Sequence, residues 1–236
     1  VTTFAVAHGS GDGGWAWRPV ARALAALGHR CVAPDLPTDR DDATWGDVAD
    51  VLVRAVDGDP DVVAVGHSSG GLVAPLVAGR VGARLQVHVA GMVPTPGESA
   101  AGWFDAVGWR EAVAVAARAD GGRTGHPDPA VTFWHDVPPA LAAAAAARER
   151  RTDGPLGAEP WPRAALPDVP ARYVVTTLDR FLPPALQRRV AADRLGLTAP
   201  DAVAAGHCVH LARPHALAAL LAGLLDDPPG RPGGGG

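Results

Sequence analysis

Asp61-Val62-Val63-Ala64-Val65-Gly66-His67-Ser68-Ser69-Gly70-Gly71-Leu72-Val73-Ala74 is the stretch that decides the fold of this chain. An apolar, valine-rich run enters a tight G-x-S-x-G turn, and a helix-forming segment leaves it. In that strand–turn–helix context a serine sits at a sharp, strained corner with its hydroxyl exposed. Gly66 and Gly70 flank the serine because the corner leaves no room for larger side chains. The competing reading is a glycine-rich turn that packs tightly or cradles a phosphate. The turn itself is not a G-x-G-x-x-G pattern, and the chain has no lysine, so nothing supports that reading.

Working outward, similar apolar runs occur at 3–7, 30–33, 85–90, 172–177 and, weakly, 202–205. Most are near-continuous rather than alternating, which suits parallel strands covered on both faces. Helical stretches lie between them at 17–27, 45–56, 69–81, 184–195 and 215–225. A βαβα order with right-handed crossovers gives an α/β fold with a doubly wound, mostly parallel sheet of about six strands. Residues 95–167 break the alternation. They read as a helical insertion, with helices at 101–119 and 138–151, expected to lie over the C-terminal edge of the sheet as a lid. Residues 1–94 and 168–227 are then the core, and the Pro/Gly tail at 228–236 is expected to be disordered. Four of the seven tryptophans fall in the insertion: Trp103, Trp109, Trp134 and Trp161. As a group they suggest the roof of an apolar pocket, with Trp103 and Trp134 as substrate contacts.

Composition narrows the chemistry. The chain has 236 residues, 47% of them hydrophobic and 19% charged, which places it among globular proteins of one large or two small domains. With 21 basic against 25 acidic residues, the balance argues against nucleic acid as a partner. All the basic residues are arginine, so Schiff-base lysine chemistry and pyridoxal phosphate anchoring are excluded. Two cysteines, Cys31 and Cys208, make neither a disulfide framework nor a CxxC metal pattern. No apolar run is long enough to span a membrane, and no basic segment precedes the first strand, so a cytoplasmic location is expected.

A serine nucleophile needs a base, and the base needs an orienting acid. In an α/β sheet these are expected beyond the C-terminal ends of later strands, in the order Ser, Asp, His. Asp179 follows the run 173–177, and His207 follows the last weak strand, so Ser68, Asp179 and His207 are the candidate catalytic residues. An Asx turn or helix cap is the competing role for Asp179. His210, with apolar neighbours, reads as a core or rim residue, and His215 as an exposed one. A His207/His210 metal pair finds no third ligand at motif spacing, so no metal is expected. Two backbone donors are needed for a developing oxyanion. They are assigned to the amide of Ser69 and, from the loop His8-Gly9-Ser10-Gly11-Asp12-Gly13-Gly14-Trp15, to that of Ser10. The run Arg148-Glu149-Arg150-Arg151 reads as an exposed helix end.

With these residues in place, the chain resembles the α/β-hydrolase superfamily along nearly its whole length. It is most similar to the small-lidded branch of methyl-ester esterases and hydroxynitrile lyases. The matching pieces are His8-Gly9, Gly14-Trp15-Ala16-Trp17, Ala33-Pro34-Asp35-Leu36-Pro37, the 66–71 turn, Leu178-Asp179, and Gly206-His207 with Pro214 beyond. The resemblance implies Ser68, His207 and Asp179 as a triad, and Ser10 and Ser69 as oxyanion donors. It also implies substrate contact at Gly9 and Cys208. Hydroxynitrile lyases of the branch carry Thr and Lys at those two places, so cyanohydrin cleavage fits poorly and ester cleavage fits better. The expected function is a serine hydrolase for a carboxylic ester or lactone of a small, mostly apolar molecule, needing no cofactor and acting as a monomer or homodimer. Elimination or C–C lyase chemistry with the same His–Asp pair is the alternative, and a triad-bearing ligand receptor is a third.

Overall fold

Along the first strand, β1 (Thr3–Ala7), Phe4 and Val6 bury on one face while Ala5 and Ala7 bury on the other. Successive side chains point to opposite faces of a strand, so a run apolar at every position requires cover on both sides. The computed structural model describes residues 1–152 and 154–226, and the tail expected at 228–236 lies outside the described residues. Five further strands follow: β2 (Arg30–Val32), β3 (Val62–His67), β4 (Leu85–Val89), β5 (Ala171–Thr176) and β6 (Asp201–Val203). They form one sheet in the order β2-β1-β3-β4-β5-β6, parallel throughout.

Helices α1 (Arg18–Ala26), α2 (Trp45–Ala55) and α3 (Ala74–Val81) connect the first four strands. Val20 and Leu24 of α1 bury with Phe4, Val6, Val63 and Val65, while Val48 and Leu52 of α2 and Val77 of α3 bury with Ala5 and Ala64. The chain therefore leaves β1 for one side of the sheet to build β2, then returns to place β3 on the other side. β1 and β3 are the strands between which the order reverses, and in open α/β sheets ligand sites form in that crevice. Ala7 and Gly66 are in register, which sets the loops after β1 and β3 side by side.

Between β4 and β5 lie α4 (Ala100–Ala106), α5 (Trp109–Asp120), α6 (Pro129–Thr132) and α7 (Pro139–Ala146). The helix expected at 101–119 is two helices, broken at Gly108, whose φ of 65° is left-handed. The helix expected at 138–151 ends early. The Arg150 amide donates to the Gly11 carbonyl at 3.0 Å and its guanidinium pairs with Asp39 at 2.7 Å, drawing the chain onto the loop after β1. Arg151 pairs with Asp41 in the same way. The 148–151 run is exposed apart from Arg150, as its charges suggest, but it lies beyond the helix end and acts as a tether. The helix expected at 69–81 is a 3₁₀ turn over Ser68–Leu72 followed by α3. Pro75 stands in the first turn of α3, where its missing N–H breaks no bond; a continuous helix would have driven its ring against the preceding turn. After β5 come α8 (Pro184–Leu195), α9 (Val209–Ala212) and α10 (Pro214–Gly223). Among the described residues no helix is long and apolar enough to cross a membrane.

The core buries imidazoles as neutral groups. His88, fully buried on β4, stacks against Tyr173, and burial pushes its pKa down to about 4. Burial lowers His8 and His67 as well. In the unfolded chain these rings titrate near 6.5. Between about pH 6.5 and 4 the unfolded state therefore binds more protons, and stability falls as pH falls through that window. His88 alone accounts for about 3 kcal/mol by pH 4. We expect the melting temperature to be level above pH 7 and to drop steadily below 6.5. His88→Leu should give a shallower curve, and an equally steep one would contradict this account.

Candidate active site

Ser68 has φ of 52°, the left-handed region that a residue with a side chain seldom occupies. The packing on either side imposes it. A Cβ on Gly66 would lie 2.5 Å from the Gly70 carbonyl oxygen, and one on Gly70 would lie 2.1 Å from the Ala7 carbonyl oxygen. The chain can turn this tightly between β3 and α3 only with glycine at both places. The corner lifts the Ser68 hydroxyl to the C-terminal edge of the sheet.

Two loops meet it there. The loop after β6 brings His207, whose Nε2 is 3.0 Å from Ser68 Oγ. The loop after β5 brings Asp179, whose Oδ2 is 2.8 Å from His207 Nδ1. The Asp179 side chain is wholly buried. Its Oδ1 accepts from the amides of Phe181 and Leu182 at 2.8 and 2.9 Å, which is the Asx-turn arrangement considered as its competing role. Both readings hold at once, one on each oxygen. Thr176 Oγ1 and Gln187 Nε2 also donate to Oδ2, at 2.8 and 3.0 Å. A carboxylate surrounded by donors acts as the acceptor, so the ring hydrogen of His207 sits on Nδ1. The lone pair of Nε2 then faces the serine.

Several of these supports carry no sequence motif. Gln187 projects from α8 and also donates to the Leu182 carbonyl at 2.7 Å. Asp136 of the insertion accepts from the Gly206 amide at 2.8 Å, and His135 contacts the Leu178 carbonyl at 3.1 Å. His67 Nε2 lies 2.9 Å from the His207 carbonyl. Asp136, His135 and His67 each hold a loop end by a side chain remote in sequence, while Gln187 reaches back from α8 to the loop just before it.

On the other side of Ser68, His8 shapes the first loop. The Leu36 amide donates to His8 Nε2 at 3.0 Å, and the opposite ring nitrogen donates to the Gly9 carbonyl at 2.9 Å. The Ser10 amide points at Ser69, donating to its Oγ at 2.8 Å, and the two hydroxyls are 2.9 Å apart. Ser69 is the second residue of the 3₁₀ turn, where amides of the first residues face outward.

A cavity of about 460 Å³ opens over Ser68 and His207, within the range of small-molecule sites. Gly9, Ser10, Trp134 and Cys208 line it, as the sequence suggested. Trp103 does not. It is 1% exposed, and its indole N–H donates to the Val93 carbonyl at 3.0 Å. Trp109 and Trp161 likewise donate to the Phe181 and Leu72 carbonyls, at 2.8 and 2.9 Å. A buried indole needs an acceptor for its N–H, and these three find one where the insertion joins the core. The aromatic wall is built instead by Phe104, Phe133 and Phe181. The rings of Phe133 and Phe181 stand edge-on to His207 at 5.6 and 5.0 Å. Burial, then the carboxylates of Asp12, Asp179 and Asp136, hold the Cys208 thiol well above its ordinary pKa. It faces the cavity as a neutral group.

The Alpha/beta hydrolase family model matches residues 4–220. A carbendazim hydrolyzing esterase of Nocardioides sp. (strain SG-4G) is 32% identical over 111 residues, 42% of this chain and 46% of that protein. Methylesterase 2 of Arabidopsis thaliana is 34% identical over 98 residues, 36% of this chain and 37% of that protein. The chain aligns with less than half the length of these curated relatives. The crystal structure of polyneuridine aldehyde esterase superposes over 95% of this chain and 99% of its own, with a TM-score of 0.75 and 18% identity, a likeness of fold.

The corner itself is open to test. Gly70→Ala places a methyl group against the Ala7 carbonyl and is expected to cost about 3 kcal/mol or to prevent folding. Urea titration of the two variants checks this: Gly223→Ala, with open space around it, should be neutral to slightly stabilising.

Proposed function

The chain belongs to the α/β-hydrolase family, and on that premise we propose that it is a serine esterase for small, mostly apolar carboxylic esters or lactones. One observation carries the reading: Ser68 Oγ, His207 Nε2 and Asp179 Oδ2 form an unbroken chain, at 3.0 and 2.8 Å, under an aromatic cavity.

The steps follow from the proton positions. Ser68 attacks the ester carbonyl as His207 Nε2 takes its proton, and the Asp179 carboxylate stabilises the imidazolium. The oxyanion is held by the amides of Ser69 and Ser10. The Ser10 amide must exchange the Ser69 hydroxyl for the substrate oxygen, which the exposure of both residues permits. His207 then returns the proton to the leaving alcohol. In the second half, water enters, His207 takes its proton, and the acyl group leaves Ser68 as the acid. The helices at 95–167 act as the lid, and Phe104, Phe133, Phe181 and Trp134 favour an aromatic or aliphatic group beside the ester.

Hydrolysis of p-nitrophenyl esters across a series of acyl lengths tests this. Ser68→Ala should lose activity by about 10⁴-fold or more, and Asp179→Asn by on the order of 10³–10⁴-fold through the wrong His207 tautomer. Folded wild type that cleaves none of the series would remove the esterase reading.

Ser69→Ala separates the main-chain from the side-chain role. If the amides hold the oxyanion, kcat stays within a few-fold of wild type. A loss of about 10²-fold or more would place the Ser69 hydroxyl itself in the oxyanion site.

A further inference from the structure

Behind Ser68, three side chains that the proposed esterase mechanism does not use converge on the cavity wall. They are Asp12 from the loop after β1, His67 from the end of β3, and His210 from α9. One ligand-type atom from each lies within 4.8 Å of the others. Both imidazoles are nearly inaccessible, at 3% and 1% exposure. Neither His67 Nδ1, Asp12 Oδ2 nor either ring nitrogen of His210 has an aligned hydrogen bond.

The protons can be placed. The partner of His67 Nε2 is the His207 carbonyl, which only accepts, so Nε2 carries the hydrogen and Nδ1 is a bare lone pair. Asp12 Oδ1 accepts from the Gly13 amide at 2.8 Å, which leaves Oδ2 directed at His210 Nε2, 3.1 Å away. His210 is held flat against Trp17, with ring centroids 4.9 Å apart and planes 5° from parallel. Gly9 faces His67 Nδ1, where a Cβ would come within 3.3 Å, and the atom is buried without a hydrogen-bond partner. With the His210 hydrogen on Nδ1, the cluster gathers three electron-pair donors around one point and lacks a positive centre. Buried groups left in that condition cost free energy.

We propose that Asp12, His67 and His210 bind a single divalent transition-metal ion of the zinc type, with its open coordination position facing the cavity. Two imidazoles and one carboxylate suit such an ion better than Ca²⁺ or Mg²⁺, which take oxygen donors. Three protein ligands with one position open is the arrangement of accessible zinc sites. Two of the ligands, His67 and Asp12, already have outer-shell support, from the His207 carbonyl and the Gly13 amide. Zinc–ligand distances put tetrahedral donors about 3.3 Å apart. The Asp12–His210 approach already matches that spacing, and the two remaining approaches must each contract by at most about 1.5 Å. The alternative occupant is a hydrogen on His210 Nε2, donated to Asp12 Oδ2.

Calorimetric titration of the chelator-treated full chain with Zn²⁺ decides between them. One equivalent should bind, and the Co²⁺-loaded protein should show visible absorption of a low-coordinate site. His210→Leu and the near-isosteric Asp12→Asn should each weaken binding at least about tenfold, and the exposed-site control His215→Gln should not. Melting curves identify a variant that fails to fold, and the other variant then decides. No Zn²⁺ binding by wild type, or equal binding by a folded cluster variant, would overturn the proposal in favour of the proton. Ester hydrolysis by the metal-free protein reports on Ser68 separately, so the two readings fail independently.

Discussion

At the centre of the molecule, the backbone of Gly70 runs against the carbonyl of Ala7, leaving 2.1 Å where a Cβ would stand. This contact presses the start of the 3₁₀ turn onto β1 and forces the positive φ of Ser68. Such strain persists only where the surroundings over-determine it. Here the surroundings are two parallel strands in register, Ala7 beside Gly66, with both faces buried. The same contact brings the loop after β1 within reach of Ser69, and sets the position of everything that gathers around Ser68.

The polar groups around His207 form one connected structure. Asp179 divides its oxygens between its own loop and the imidazole, while Gln187 ties that loop to α8. Asp136 and His135 tie the loops of His207 and Asp179 to the insertion. Networks of this kind are costly when half satisfied and rigid when complete. The imidazole is therefore held from Asp179, from its own loop and from the edges of two phenylalanine rings.

The aromatic residues of the insertion and the loop after β5 divide largely by chemistry, Trp134 being the tryptophan of the insertion that lines the cavity. Tryptophans carry an N–H that must be satisfied when buried, and Trp103, Trp109 and Trp161 serve as anchors because carbonyls await them in the core. Phenylalanine has no such demand. Phe104, Phe133 and Phe181 can line a cavity without leaving a polar atom unpaired. The 148–151 arginines fasten the other end of the insertion to Asp39 and Asp41, beside the first loop.

Much of this was written in local spacing. The apolar runs, the glycines about Ser68, and the order of Ser68, Asp179 and His207 were legible because strand periodicity and tight turns are properties of neighbouring residues. The three residues so selected are the three that the fold brings into a hydrogen-bonded line. Helix breaks at Gly108 and before Pro75 were legible in principle, from residues whose backbone demands are their own. Only the tertiary structure decided that Trp103 faces the core, that Gln187 and Asp136 brace the site, and that Asp12, His67 and His210 meet. A third ligand beside His210 could not be found by motif spacing, because its partners come from the loop after β1 and the end of β3. Contacts between distant segments depend on how the sheet is wound and where the insertion docks, and no local pattern encodes that.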